Sequence, residues 1–179
     1  MGLHAQARPR HVACVDLGSG ARWTYTALDR DTARWAAALR DGHGVRPGER
    51  VAVLAKNSVP QLLVWLACIR LGAIFVPLNW RLAPPELRGV LDDCEPRLLC
   101  HDAEHAARAV GIAGGIPVVA LDGLGTAGDG SGSDSGDSRD SADPCGVEAD
   151  DEAPSLILYT SGTSGRPKGV PVSERNAFH

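Results

Sequence analysis

Between residues 51 and 121 four short apolar runs alternate with stretches of helical spacing, an order that suits a layered α/β fold. The runs are Val51–Ala55, Ala73–Val76, Leu98–Cys100 and Ile116–Leu121. Their apolar residues are consecutive rather than alternating, the pattern of strands covered on both faces. Between them, Ser58 can cap a helix running to about Leu71, with Gly72 just past its end. Pro84-Pro85-Glu86 opens a second helix whose inner face is Leu87, Val90, Leu91 and Cys94, and Ala103–Val110 makes a third. The fold class is therefore α/β, with a mainly parallel sheet. Upstream, Val12–Val15 and Arg22–Tyr25 flank a Gly18-Ser19-Gly20 turn as a hairpin. Thr26 and Asp29 form a capping-box-like start for a helix bearing Leu28, Thr32, Trp35 and Leu39, closed by Gly42 and Gly44.

The acidic excess is local. Residues 128–143 carry five Asp and one Arg, and 14 of the 16 are Gly, Ser or Asp. Such a segment buries too little apolar area to offset its ordering entropy and reads as a flexible linker. It divides the chain into an α/β unit at 1–121, a linker at 122–153, and a strand plus loop at 154–179 that starts a second subdomain. Outside it, acids and bases balance, so no basic footprint for nucleic acid is present. No apolar run approaches the ~20 residues of a membrane span, and residues 1–11 have no secretory h-region. A cytoplasmic location is the expectation. Sixteen of the 18 basic residues are Arg, which singles out Lys56 and Lys168.

Five cysteines without C-x-x-C spacing read as reduced, mostly buried thiols. His101 and His105 could share a helix face beside Cys100, Asp102 and Glu104, but their order is not H-E-x-x-H, and a solvated helix start is the simpler reading. The aspartates of 128–143 lack the order of an EF-hand.

Chemistry concentrates at the end of the chain. A strand at 154–159 runs into Thr160-Ser161-Gly162-Thr163-Ser164-Gly165-Arg166-Pro167-Lys168. Glycines let backbone N–H groups approach an anion, hydroxyls donate to phosphate oxygens, and Lys168 supplies compact positive charge. Thr160, Ser161, Gly162, Thr163, Ser164, Gly165 and Lys168 are thus candidate ATP/phosphate-binding residues. This is not a Walker A loop, because Pro167 stands where that motif needs Gly. On composition alone, a mobile Gly/Ser loop remains an alternative.

The run Tyr159–Val170 resembles the AMP-binding signature of the adenylate-forming superfamily, with Ser164 where Thr is usual. Arg22–Tyr25, Gly44–Val53 and Leu71–Asn79 also resemble the N-terminal part of such enzymes, and Leu71–Leu82 is most similar to the acyl-CoA synthetases. The resemblance implies an ATP-dependent acid–thiol ligase. A carboxylic acid, here a fatty acid, attacks the α-phosphate of ATP with Mg²⁺ present; coenzyme A then displaces AMP. It also implies that the signature hydroxyls and Lys168 hold the β- and γ-phosphates. The superfamily's catalytic lysine, ribose-binding aspartate and Mg²⁺-binding acidic motif stand further along than residue 179, so no catalytic residue is assigned. Glu174 departs from the His common at its position.

Three readings follow. The chain is the N-terminal portion of an acyl-CoA ligase, inactive alone and complemented by a C-terminal chain. Alternatively, it is a non-catalytic nucleotide- or phosphate-binding module or a truncated remnant. Thirdly, it is an interaction partner working through 128–143. The strands at 155–159 and 170–172 are expected to pair with strands encoded later, leaving open apolar edges in this chain.

Overall fold

A computed structural model describes residues 2–125, 152–161, 167–173 and 175–176. Helix α1 (Gly2–Ala7) precedes an antiparallel hairpin of β1 (Val12–Val15) and β2 (Arg22–Thr24), then α2 (Tyr25–Ala37). One π-helical turn, Ala38–Gly42, extends α2. There follow β3 (Arg50–Leu54), α3 (Val59–Leu71), β4 (Ile74–Pro77), α4 (Pro84–Cys94) and β5 (Leu98–His101). A 3₁₀ turn at Ala103–His105 leads into α5 (Ala106–Ile112), β6 (Val118–Ala120) and the short α6 (Leu121–Leu124). The last strands are β7 (Pro154–Ser161) and β8 (Pro167–Ser173).

Strands β3 to β8 form one sheet in the order β6-β5-β3-β4-β7-β8, parallel except for the antiparallel β7–β8 pair. The α/β reading with a mainly parallel sheet holds. Alternate residues of β3 serve two cores, as expected for a strand whose successive side chains point to opposite faces. Val51 and Val53 pack with Trp35, Leu63, Ala67 and Phe75; Ala52 and Leu54 pack with Leu87, Val90, Leu91 and Leu99. Helices α2 and α3 therefore cover one face, and α4 and α5 the other.

Local chemistry sets the helix ends. Ser58 Oγ accepts from the Gln61 N–H, and Gly72 closes α3 at φ +66°, a conformation glycine adopts without a Cβ penalty. The cap of α2 is Thr24, whose hydroxyl accepts from the Ala27 N–H. This corrects the expected start at Thr26, whose hydroxyl instead donates to the Pro9 carbonyl. The run at 116–121 contributes only Val118–Ala120 as strand, because Leu121 opens α6.

The arginine bias has a structural use. Arg50 donates to the carbonyls of Cys94 and Glu95, Arg88 to those of Ile112 and Ala113, and Arg108 to those of Trp80 and Leu82. A forked guanidinium can satisfy two orphan carbonyls at an element end; an ammonium is a single point donor. Gly114 beside Arg88 sits at φ +56°, a conformation side chains rarely adopt, and a Cβ there would also displace the Arg88 guanidinium.

The strand at 154 joins the first sheet, parallel to β4, with Leu156 opposite Phe75. β7 and β8 also pair with each other, so β7 has neighbours on both sides without any later strand. No helix among the described residues is long and apolar enough to cross a membrane.

Candidate functional site

The candidate loop follows the C-terminal end of β7. Because β7 is parallel to β4, this is also the end of the sheet at which β3, β4 and β5 finish. Ligands of open parallel sheets bind beyond the carboxyl ends of their strands.

The β7–β8 ladder sets the mouth of the loop. Leu158 lies opposite Val170, Thr160 opposite Lys168, and Ser161 opposite Pro167. Cross-strand partners share a face, so the Thr160 and Lys168 side chains emerge on the same side. Both are exposed. Gly162, Thr163, Ser164 and Gly165, and the side chain of Ser161, lie outside the described residues. So do Cys145, Glu174 and the acidic segment 128–143.

The opposite face of the hairpin is anchored. Ile157 and Tyr159 pack against the core under α4 and α5. The Tyr159 hydroxyl donates to Asp93 of α4. Desolvation and the adjacent Asp93 carboxylate both hold the phenol above its ordinary pKa. Gly169 lies opposite Tyr159, where a Cβ would come within 3.0 Å of the phenol ring and of Ile157. Glycine thus lets the ring lie across β8. Sequence reading missed this anchor: Tyr159 belongs to the signature run, but nothing marks Asp93 as its partner.

Lys56, the other lysine, follows β3 at the same end of the sheet. Its ammonium pairs with Glu104 at 2.8 Å and lies 5.4 Å from the Trp80 ring centroid. Arg81 stacks on Trp80 at 4.1 Å. His101 and His105 do not share a helix face. His101 ends β5, and His105 Nδ1 lies 2.6 Å from Asp102 Oδ1 in the 3₁₀ turn. Among the described residues no three His, Cys, Asp or Glu side chains gather as a metal site. The described cysteines are all free thiols.

Residues 3–179 match the family of AMP-binding enzymes. Feruloyl-CoA synthase of an Amycolatopsis species is 40% identical over 179 residues, covering 93% of this chain and 31% of its own length. The chain thus spans about a third of that relative. A fatty acyl-CoA synthetase of Mycobacterium tuberculosis superposes with TM-score 0.78 at 27% identity, over 97% of this chain and 33% of that one. The o-succinylbenzoate-CoA synthetase of Bacillus subtilis, solved with an acyl-adenylate intermediate, superposes with TM-score 0.76 at 26% identity, over 96% of this chain and 41% of that one.

Proposed function

Because the chain belongs to the AMP-binding enzyme family, we propose that it is the N-terminal, phosphate-binding portion of an ATP-dependent ligase that joins a carboxylic acid to a thiol. The observation that carries this reading is the placement of Thr160 and Lys168 on one face at the mouth of the loop. A triphosphate needs donors and positive charge without competing carboxylates. Residues 153–173 contain Arg166 and Lys168 and no acid, so the donor set fits.

In this reading the acid's carboxylate oxygen attacks the α-phosphorus of ATP, and the bond to the β-bridging oxygen breaks. Charge then accumulates on departing pyrophosphate. Thr160, Ser161, Thr163 and Ser164 donate hydroxyls to it, Gly162 and Gly165 admit backbone N–H groups, and Lys168 neutralises charge. Mg²⁺ accompanies the triphosphate; the described residues offer no carboxylate cluster to hold it. Coenzyme A then displaces AMP to give the thioester. A fatty acid is the proposed substrate, supported by the Leu71–Leu82 segment, and an aromatic acid is its competitor, supported by the feruloyl relative. Turnover is proposed to need the remainder of the fold, in the same or a complementing chain. The hairpin would be where the next subdomain is built on. Use of ATP and coenzyme A fits a cytoplasmic setting.

ATP–pyrophosphate exchange with a long-chain fatty acid and with an aromatic acid tests this, using the protein in the length its relatives have. Lys168→Ala should slow exchange about a hundredfold, corresponding to ~3 kcal/mol of lost transition-state stabilisation. Unchanged exchange would remove Lys168 from the site. ATP binding with no exchange for either acid would favour the non-catalytic binding module.

A further inference from the structure

We propose that the outer face of the β1–β2 hairpin docks on an anionic lipid surface. The hairpin pairs out of register between Val12 and Cys14. That shift places Val12 opposite Thr24 and Val15 opposite Arg22. Thr24 and Arg22 are two apart on β2 and share a face, so the two valines, three apart on β1, share it too. The inner residues Ala13, Cys14 and Trp23 pack against the core, and Trp23 Nε1 donates to Asp31 of α2 at 3.0 Å. Val12 and Val15 face outward, 45% and 41% exposed, and Leu17 at the tip is 95% exposed. Half of the large apolar side chains exposed among the described residues thus sit on this one hairpin.

The tip is held in shape before any partner arrives. Asp16 Oδ1 accepts from the N–H groups of Gly18 and Ser19, and the Asp16 N–H donates to Ala21. Inserting Leu17 therefore orders little new chain.

Charge selects the occupant. Residues 1–24 hold Arg8, Arg10 and Arg22 against the single acid Asp16. All three arginines are exposed, and none pairs with a carboxylate among the described residues. Hydrogen bonds from Tyr25 to His11 and from Thr26 to Pro9 hold the Arg8–His11 segment beside the base of the hairpin. Apolar side chains at Val12, Val15 and Leu17, with Arg22 opposite Val15 and Arg8 and Arg10 beside the base, match acyl chains beneath anionic headgroups. A second copy fits poorly, since it would bring together two patches of the same positive charge.

The test is co-sedimentation of the 179-residue chain with vesicles of phosphatidylcholine alone and of phosphatidylcholine with phosphatidylserine. Binding is expected to the anionic vesicles only, and to weaken with salt. Leu17→Glu should weaken it about tenfold or more, and neutralising Arg8, Arg10 and Arg22 to Gln about fivefold each. Leu17 touches no core, so its variant should melt like the parent. Equal sedimentation with both vesicle types, none with either, or an unaffected Leu17→Glu variant would overturn the proposal. So would a concentration-dependent dimer abolished by Leu17→Glu, which would make a second copy the occupant.

Discussion

The Tyr159 hydroxyl donates to the Asp93 carboxylate, and this bond ties the strand leading into the candidate loop to the last turn of α4. Thr160, the next residue, therefore starts from a fixed point. Its partner Lys168 is held by the same ladder. The mouth of the loop is positioned from the opposite face of the hairpin, out of reach of a ligand on the Thr160 side.

Tyr159→Phe keeps the ring and loses the hydroxyl. Urea unfolding should show a loss of about 1 kcal/mol, and more if Asp93 is left poorly solvated. The phenol's raised pKa adds a pH signature. Its contribution is fully present below the unfolded value of about 10 and fades as pH rises toward the higher folded value. An unchanged melt in the Phe variant would mean the bond contributes nothing.

Gly169→Val places a branched side chain where even a Cβ has 3.0 Å to the Tyr159 ring. The ring must move, and overpacking of this kind costs about 1–3 kcal/mol. Tyr159→Ala combined with Gly169→Val should then cost less than the two single changes added. Strict additivity in that cycle would disconnect the pair.

Thr24→Ala and Thr26→Ala separate two accounts of where α2 begins. Thr24 carries the cap, so its loss should cost about 1 kcal/mol by thermal unfolding. The exposed Thr26 hydroxyl reaches only the Pro9 carbonyl, and its removal should cost less. The reverse ranking would restore the start at Thr26.

Alkaline pH should destabilise the fold through three thiols. Desolvation pushes Cys94 up to about 11 and Cys100 up to about 12, and holds Cys68 well above its ordinary value. Unfolded thiols ionise near 8.5. Their stabilisation is therefore complete below about pH 8.5 and lost as pH rises through the folded values. Each thiol contributes a slope of at most about 1.4 kcal/mol per pH unit. Urea midpoints measured between pH 8 and 11 should fall, and Cys100→Ala should flatten the fall. A level profile in the parent would contradict this.

What the sequence made legible was local. Val51–Ala55, Ser58 and Gly72 announce β3, the cap of α3 and its end because each signal acts within a few residues. The hydroxyls, glycines and Lys168 of 160–168 are the composition on which the phosphate loop is proposed, and of these the structure describes the side chains of Thr160 and Lys168. The pairing of β7 with β4 was not legible, since no short-range signal links Leu156 to Phe75. Nor was the cap at Thr24, because Thr26 carries the same side chain two positions on and only the fold sends its hydroxyl to Pro9. Asp93 follows Asp92 on an exposed helix end, and nothing but tertiary structure selects it for Tyr159.

The register Phe75–Leu156 has a kinetic consequence. Strands β3 to β6 close short crossovers, whereas β7 must return to β4 from about eighty residues further along the chain. The central strands can assemble while the strand bearing the loop is still searching, so the loop's end of the sheet docks last and opens first. Native-state hydrogen exchange should find the amides of 155–160 releasing before those of 51–54. A nucleotide held at that end would then act as a latch on the final docking step, and its binding would hold back the chain's first opening and, through it, global unfolding.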